Sequence, residues 1–362
     1  MPYTFTLYLA RQYLFYLLSV LVIITAIVLL FDVVEMIRIM FGKPVSFITI
    51  IKMSLYKNFM DIQRAIGFIS LIAAILLYVK LSRNSELTIM RSVGMSIWQF
   101  SFPALIVAFM FGIFYITALN PLASYFINQY EKLAAQHIKN SPSLLTFLKT
   151  GLWIKQYNDN GESNIMHALK ISQENSELFE ITVYFLDDNS RFTKRIDAEY
   201  AKLHDGKWEL KNAFETSFNH HYAKYDHMEL NTNITFQQIQ ESMIRPETLS
   251  FWKLPFFISM AEDSGFSVIR HKLYFYRLLI SPLFFAAMTL LGIAFALSQP
   301  RSGIAGRLAA IGMLIGFFIY FTSDLLFALG VSGGIPIWLA SISPTMLTLM
   351  IGLYIHLHHE DG

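Results

Sequence analysis

Between Arg11 and Asp32 the chain runs for 20 residues without a charge, QYLFYLLSVLVIITAIVLLF. A helix of that length crosses the ~30 Å hydrocarbon core of a bilayer. A secretory signal has a shorter apolar region followed by a small-residue cleavage site, so this stretch reads as a retained span. Five further spans follow at 65–79, 100–119, 278–298, about 305–327, and 337–357. The first of these five is flanked by Arg64 and Lys80, whose stems snorkel to the interfaces. The spans fall in two sets of three, within 1–143 and 251–362.

Residues 144–250 change period. GLWIKQY, NIMHALKIS, ITVYFLDDNSRFTKRID and AKLHDGKWELKNAF alternate apolar with polar, and their DDNS and DG pairs sit where hairpin turns belong. Short strands at this spacing predict a small antiparallel sandwich or roll. The fold class is therefore membrane α + β, with six transmembrane helices (3+3) and an inserted antiparallel, jellyroll-like β domain. Amphipathic stretches border that domain at 121–139 and 254–265.

Another amphipathic piece lies between spans two and three. In NSELTIMRSVGMSIWQ, Asn84 or Ser85 is placed to cap a helix, and Glu86 suits its positive end. Leu87, Met90, Val93, Ile97 and Trp98 share one face, which predicts a helix of about four turns over 84–98. Such a helix rests on the headgroups, or docks its apolar face in a groove of a cytoplasmic partner.

Charge places these parts about the membrane. Lys80, Arg83 and Arg91 in the second loop, with Arg301 and Arg307 in the loop at 299–307, put those loops and both termini inside. The β domain is then outside, as is the 38–64 segment, although it carries Arg38, Lys43, Lys52, Lys57 and Arg64. Composition narrows the chemistry. Only 15% of residues are charged against 54% hydrophobic, where soluble domains carry about a quarter charged. The absence of cysteine removes disulfides and thiol chemistry. A net charge of +2 without a Lys/Arg run gives no footprint for nucleic acid. No G-x-x-x-x-G-K-[ST] loop is present for ATP. His220, His221, Asp226 and His227 are expected to be surface residues, and the HLHHE at 356–360, which follows a span and lacks the H-E-x-x-H order, is not read as a metal site, so none is assigned.

S-E-L-T-I-M-x-x-x-G-x-S after the second span, in a three-span, β-domain, three-span layout, resembles the lipopolysaccharide export permease family LptF/LptG. GLWIK at 151–155, RLLISPL at 277–283 and GIPIWLASISP at 334–344 resemble its LptG branch more. The resemblance spans nearly the whole chain. It implies a paralogous, LptF-like permease as partner around a central cavity walled in part by spans one and five. It implies a homodimeric, LptB-like cytoplasmic ABC ATPase below, which uses the ATP and magnesium, so that this chain binds no cofactor. It further implies a single-span, LptC-like periplasmic partner, with lipopolysaccharide drawn from the outer leaflet of the inner membrane past a periplasmic β domain to a periplasmic bridge.

Ser85, Glu86, Leu87, Met90 and Gly94 carry over as the ATPase-coupling residues, with Ser92 where alanine is expected. The phosphates of the glycolipid give the outer cations a purpose. Arg38, Lys43, Arg64, Lys272 and Arg277 are the substrate-binding candidates, with Arg277 matching a basic family position just before Pro282. At the outer end of span one, Asp32 stands where a basic residue is expected. Asp324, ionisable within span five, joins the candidates and is expected to pair with Arg277 or a span-one cation. Ile181, Val183, Phe185 and Leu210 either pack the β core or line a groove for acyl chains. Two other functions remain open: a mechanotransmission subunit, for which six spans are too many, and a lipid-modifying enzyme, for which no G-x-S-x-G or paired intramembrane aspartates are present.

Overall fold

A computed structural model describes residues 3–137, 146–157, 163–172, 177–187, 191–204, 206–217, 222–232, 235, 244–263, 266–297 and 304–360. Arg301, His220 and His221 lie outside the described residues. Contacts divide the chain into two compact units. One holds Met1–Ile138, Pro246–Leu254 and Ile269–Gly362, and the other Lys139–Arg245 with Pro255–Val268.

In the helical unit, α1 (Tyr3–Met40) and α2 (Phe47–Arg83) form an antiparallel pair. Each is 37 or 38 residues long, about 55 Å at 1.5 Å per residue, so both outrun the ~30 Å apolar layer. The short α3 (Glu86–Ser92) leads into α4 (Ile97–Phe114). A π turn at Tyr115–Leu119 joins α4 to α5 (Asn120–His137). Beyond the β unit come α7 (Ile269–Ala296), α8 (Ile304–Val331) and α9 (Ile337–Glu360). Among the described residues, six helical stretches are long and apolar enough to cross a membrane, as the hydrophobic pattern predicts.

Helix α7 is the central element, packed on α2, α4, α8 and α9. Its close contacts depend on missing side chains. A Cβ at Gly112 of α4 would lie 2.3 Å from the Pro282 Cα, and one at Gly292 of α7 would lie 2.7 Å from the Leu71 carbonyl oxygen. Small residues of this kind let membrane helices approach without the hydrophobic effect to drive them. Helix α1 buries Leu9, Tyr13 and Leu17 at helical spacing and leaves its other face exposed. At the turn from α1 to α2, beside α5, Met36, Met40, Ile50, Met53 and Ala134 make a second, smaller core.

The other unit is a six-stranded antiparallel sheet with strand order β1-β2-β3-β4-β5-β6. Its strands are β1 (Thr146–Tyr157), β2 (Ser163–Ser172), β3 (Glu177–Leu186), β4 (Phe192–His204), β5 (Lys207–Ser217) and β6 (Tyr222–Asn231). The antiparallel β domain expected at this position is present, and its order is that of a meander, with no Greek-key crossover among the described strands. One row of the ladder, through Leu169, Glu180, Glu199, Asn212 and Asp226, is skipped in the pairing of β2 to β6. Glu180 and Asn212 adopt left-handed backbone there (φ 55° and 52°). Buried positions on the two sides of this row are three apart, Leu178 and Ile181, Ala198 and Ala201, Leu210 and Ala213, where a regular strand repeats every two. The row is a crease that re-phases each strand, so both halves of the sheet bury the same face. Ile181, Val183 and Leu210 are buried on that face. The amphipathic α6 (Leu254–Asp263) follows, and its residues from Pro255 on cluster with the sheet.

Candidate functional site

The predicted helix at 84–98 is two elements, and α3 is only seven residues long. Gly94 ends it. With φ +83°, Gly94 donates its N–H to the Arg91 carbonyl at 3.0 Å, and Met95 donates to the Met90 carbonyl at 3.2 Å, the paired bonds of a Schellman stop. Ser96 then starts α4 with a capping box: its hydroxyl accepts from the Gln99 N–H, and the Gln99 side chain accepts from the Ser96 N–H. Ile97 and Trp98 therefore belong to a membrane helix.

The cap at the other end also differs from expectation. Asn84 closes α2, and Ser85 sits in left-handed backbone (φ 60°) with no side-chain capping bond. Glu86 is held instead by the Tyr8 hydroxyl of α1 at 3.1 Å and the Asn84 amide at 3.3 Å. Leu87 and Met90 are buried in the bundle core beside Leu81 and Ile97. Ile89 and Val93, 61% and 76% exposed, form the outward apolar surface. The expected apolar face thus splits: Leu87 and Met90 attach α3 to the bundle, and Val93 is exposed.

At the other end of the helical unit, where the chain leaves for the sheet and returns from it, α2, α7, α8 and α9 enclose a cavity of about 310 Å³. Arg64, Arg270 and Arg277 line it, with Glu247 and Asp324. Tyr115, Tyr274, Phe284 and Phe327 are among its aromatic walls. The Arg277 guanidinium donates to Asp324 at 3.1 Å and lies 5.6 Å from the Phe327 ring centroid, so the pairing expected of Asp324 forms with Arg277. Arg270 is 3.8 Å from Glu247. The buried Asn120, at the end of the π turn, donates to the Tyr274 hydroxyl at 3.2 Å and accepts from the Phe251 N–H at 2.8 Å. That clamp fixes the returning chain beside the cavity.

Of the substrate-binding candidates, Arg64, Arg277 and Asp324 meet here. Lys272 does not: two residues from Arg270 is about 200° around a helix, and it is absent from the described lining. Lys43 donates to the His137 carbonyl at 3.2 Å, and Arg38 is exposed on α1. Arg270 and Glu247 were not anticipated. A signal for Arg270 existed in the sequence, since Arg270, Tyr274, Arg277 and Ser281 follow i, i+4, i+7, i+11 along one face of α7. For Glu247, in a short 3-10 turn of the helical unit, there was none.

The acidic end of span one is accounted for by Lys57. Its ammonium meets Asp32 at 2.7 Å, Glu35 at 2.6 Å and Asp61 at 3.6 Å. Lys57 is thereby neutralised within the bundle, and Asp32 is the buried half of an ion pair. Among the described residues no His, Cys, Asp and Glu group has a metal-binding arrangement. His356 is packed against Trp98, ring centroids 4.4 Å apart, inside the bundle.

Comparison with known sequences points the same way. The sequence model of the family described as "Lipopolysaccharide export system permease LptF/LptG" matches residues 7–358. The chain is 24% identical over 299 residues to the lipopolysaccharide export system permease protein LptG of Haemophilus influenzae, covering 80% of each. It is 22% identical over 303 residues to LptG of Escherichia coli K12, covering 82% of this chain and 81% of that protein.

Proposed function

The chain belongs to the LptF/LptG family of lipopolysaccharide export system permeases and is LptG-like, and we propose on that premise that it is the membrane subunit of an ATP-driven exporter drawing lipopolysaccharide from the outer leaflet of the inner membrane. The observation that carries this reading is the convergence of Arg64, Arg270 and Arg277 in one cavity of the helical bundle, away from α3. Guanidinium forks bind phosphate oxygens in pairs, and more strongly away from bulk water. At about 310 Å³ the cavity lies at the small end of ligand pockets, which run ~300–1,000 Å³. It has room for a phosphorylated sugar and none for the acyl chains. Those belong in a larger space shared with the paralogous permease. The apolar cores of α1 and α8 are the least buried of the six spans, 11% and 17%, which suits the wall of such a space. The β unit faces the periplasm, where it passes the lipid to a periplasmic bridge with the single-span partner.

The motor is the separate homodimeric ATPase, which supplies ATP and magnesium chemistry; this chain binds no cofactor of its own. It docks at α3 on the cytoplasmic side. Leu87 and Met90 fasten α3 to the core that continues through α2 and α4, so force on α3 is delivered to the spans rather than absorbed by a loose loop. Ile89 and Val93 offer the apolar contact, beside Arg91 and Ser92.

The test is recovery of the ATPase with tagged chain in detergent, together with the paralogous permease. Wild type is expected to bring down the ATPase stoichiometrically. Val93→Asp is expected to lose at least about tenfold of it, the loss of a central apolar anchor being worth ~2 kcal/mol or more, while the melting of the permease stays unchanged. Full ATPase recovery with both Val93→Asp and Ile89→Asp would remove α3 as the motor's docking site.

A further inference from the structure

The cavity's arginines arrive with anions of the protein's own. Asp324 accepts from Arg277 at 3.1 Å through one guanidinium nitrogen and one carboxylate oxygen. The two side chains are 34% and 43% exposed, and both line the cavity. This pair is therefore open to a ligand, unlike the Lys57–Asp32 pair, whose carboxylate is 4% exposed. Arg277 has a second support in the Phe327 ring, one turn beyond Asp324. A guanidinium stacked in this way keeps its place when its carboxylate leaves.

From this geometry we infer that Asp324 is an exchangeable counterion that a substrate phosphate must displace from Arg277. The inference rests on the proposal above that this cavity takes the phosphorylated headgroup. An empty cavity with three arginines and no internal anion would set like charges close together with nothing to offset their repulsion. Asp324 offsets that repulsion while the site is empty, and its departure is subtracted from the binding energy of whatever replaces it. A phosphomonoester, close to dianionic at neutral pH, out-competes a carboxylate for the guanidinium fork. A phosphodiester headgroup, with one charge, matches the carboxylate and gains little by the exchange. The carboxylate thus sets an affinity threshold that a singly charged phospholipid headgroup does not clear. It also shortens the life of the bound state, because Asp324 recaptures Arg277 as the headgroup leaves.

The experiment measures equilibrium binding to the full chain with its paralogous permease in phosphatidylcholine nanodiscs. The probes are bisphosphorylated lipid A and phosphatidylglycerol. Wild type is expected to prefer lipid A. Asp324→Asn, nearly isosteric and uncharged, is expected to bind both lipids more tightly. The gain should be about tenfold for each, because each phosphate displaces the same carboxylate. Arg277→Gln is expected to weaken lipid A binding and to erase the gain when combined with Asp324→Asn. Asp324→Ser takes the place of Asp324→Asn should that variant not fold. Weaker or unchanged binding in the Asp324 variants, with Arg277→Gln still harmful, overturns the exchange and makes Asp324 a residue that positions Arg277. Lipid A binding that ignores Arg277→Gln overturns the headgroup reading of the cavity itself, and the exchange with it.

Discussion

Lys57 holds one ammonium among three carboxylates, and only 15% of its side chain reaches the surface. Replacing it with methionine keeps the length and leaves Asp32, 4% exposed, with an uncompensated buried charge. Breaking a buried pair in this way costs about 3 kcal/mol or more. Lys57→Met is thus expected to lower the thermal stability of the bundle in detergent sharply, and Asp32→Asn in the same chain to restore much of it. A Lys57→Met protein as stable as wild type would mean that the pair carries no structural weight. The same residues mark a limit of local sequence reading. Asp32 looks out of place beside a membrane span until Lys57 is known to lie against it, and 25 positions separate them. Arg277 and Lys272 teach a related lesson. Both are cations near the start of one span, and only helical phase against Arg270 and Tyr274 places the first in the cavity and the second outside it.

Among elements, α3 shows what could have been recovered from sequence and was not. VGMSIWQ contains both the glycine that ends one helix and the S-x-x-Q that caps the next. Apolar periodicity runs across that boundary, because Leu87 and Ile97 pack in the same core from two helices. Period alone therefore predicts one long helix. The spans and the strands of the middle domain were legible for the opposite reason, since each apolar run is bounded by charges or turn residues. The crease in the sheet was not legible: Glu180 and Asn212 are ordinary strand-context residues until φ is seen. Between α4 and α7, the deciding feature is an absent side chain. Gly112→Val would drive a Cβ to within 2.3 Å of Pro282 Cα, backbone that cannot swing away. Overpacking of this kind costs roughly 1–3 kcal/mol. A drop in melting temperature in detergent is expected, with the cavity distorted because Pro282 lies one residue from Ser281 of its lining. Unchanged melting would show that α4 and α7 separate freely.

On the scale of the whole molecule, the helical unit carries two candidate sites at its opposite ends. One is a short helix anchored by Leu87 and Met90, and the other is an arginine-lined cavity closed by α2, α7, α8 and α9. Helices α2 and α7 run between the two regions and pack along each other, so a push at α3 has a continuous path to Arg64 and Arg277. Sequence order supplied the layout and the family resemblance supplied the transport reading. The cavity itself needed the fold, since its charged residues come from positions as distant as Arg64 and Asp324. The account's central claim is that headgroup occupancy of this cavity is emptied by the motor at the far end. It is tested most directly by placing a photo-reactive phenylalanine analogue at Phe327, in the complex with its paralogue and ATPase, in vesicles containing lipopolysaccharide. The account predicts a lipopolysaccharide adduct that forms without nucleotide and falls several-fold when ATP and magnesium are added. No adduct, or an adduct that persists unchanged while the complex hydrolyses ATP, would contradict it.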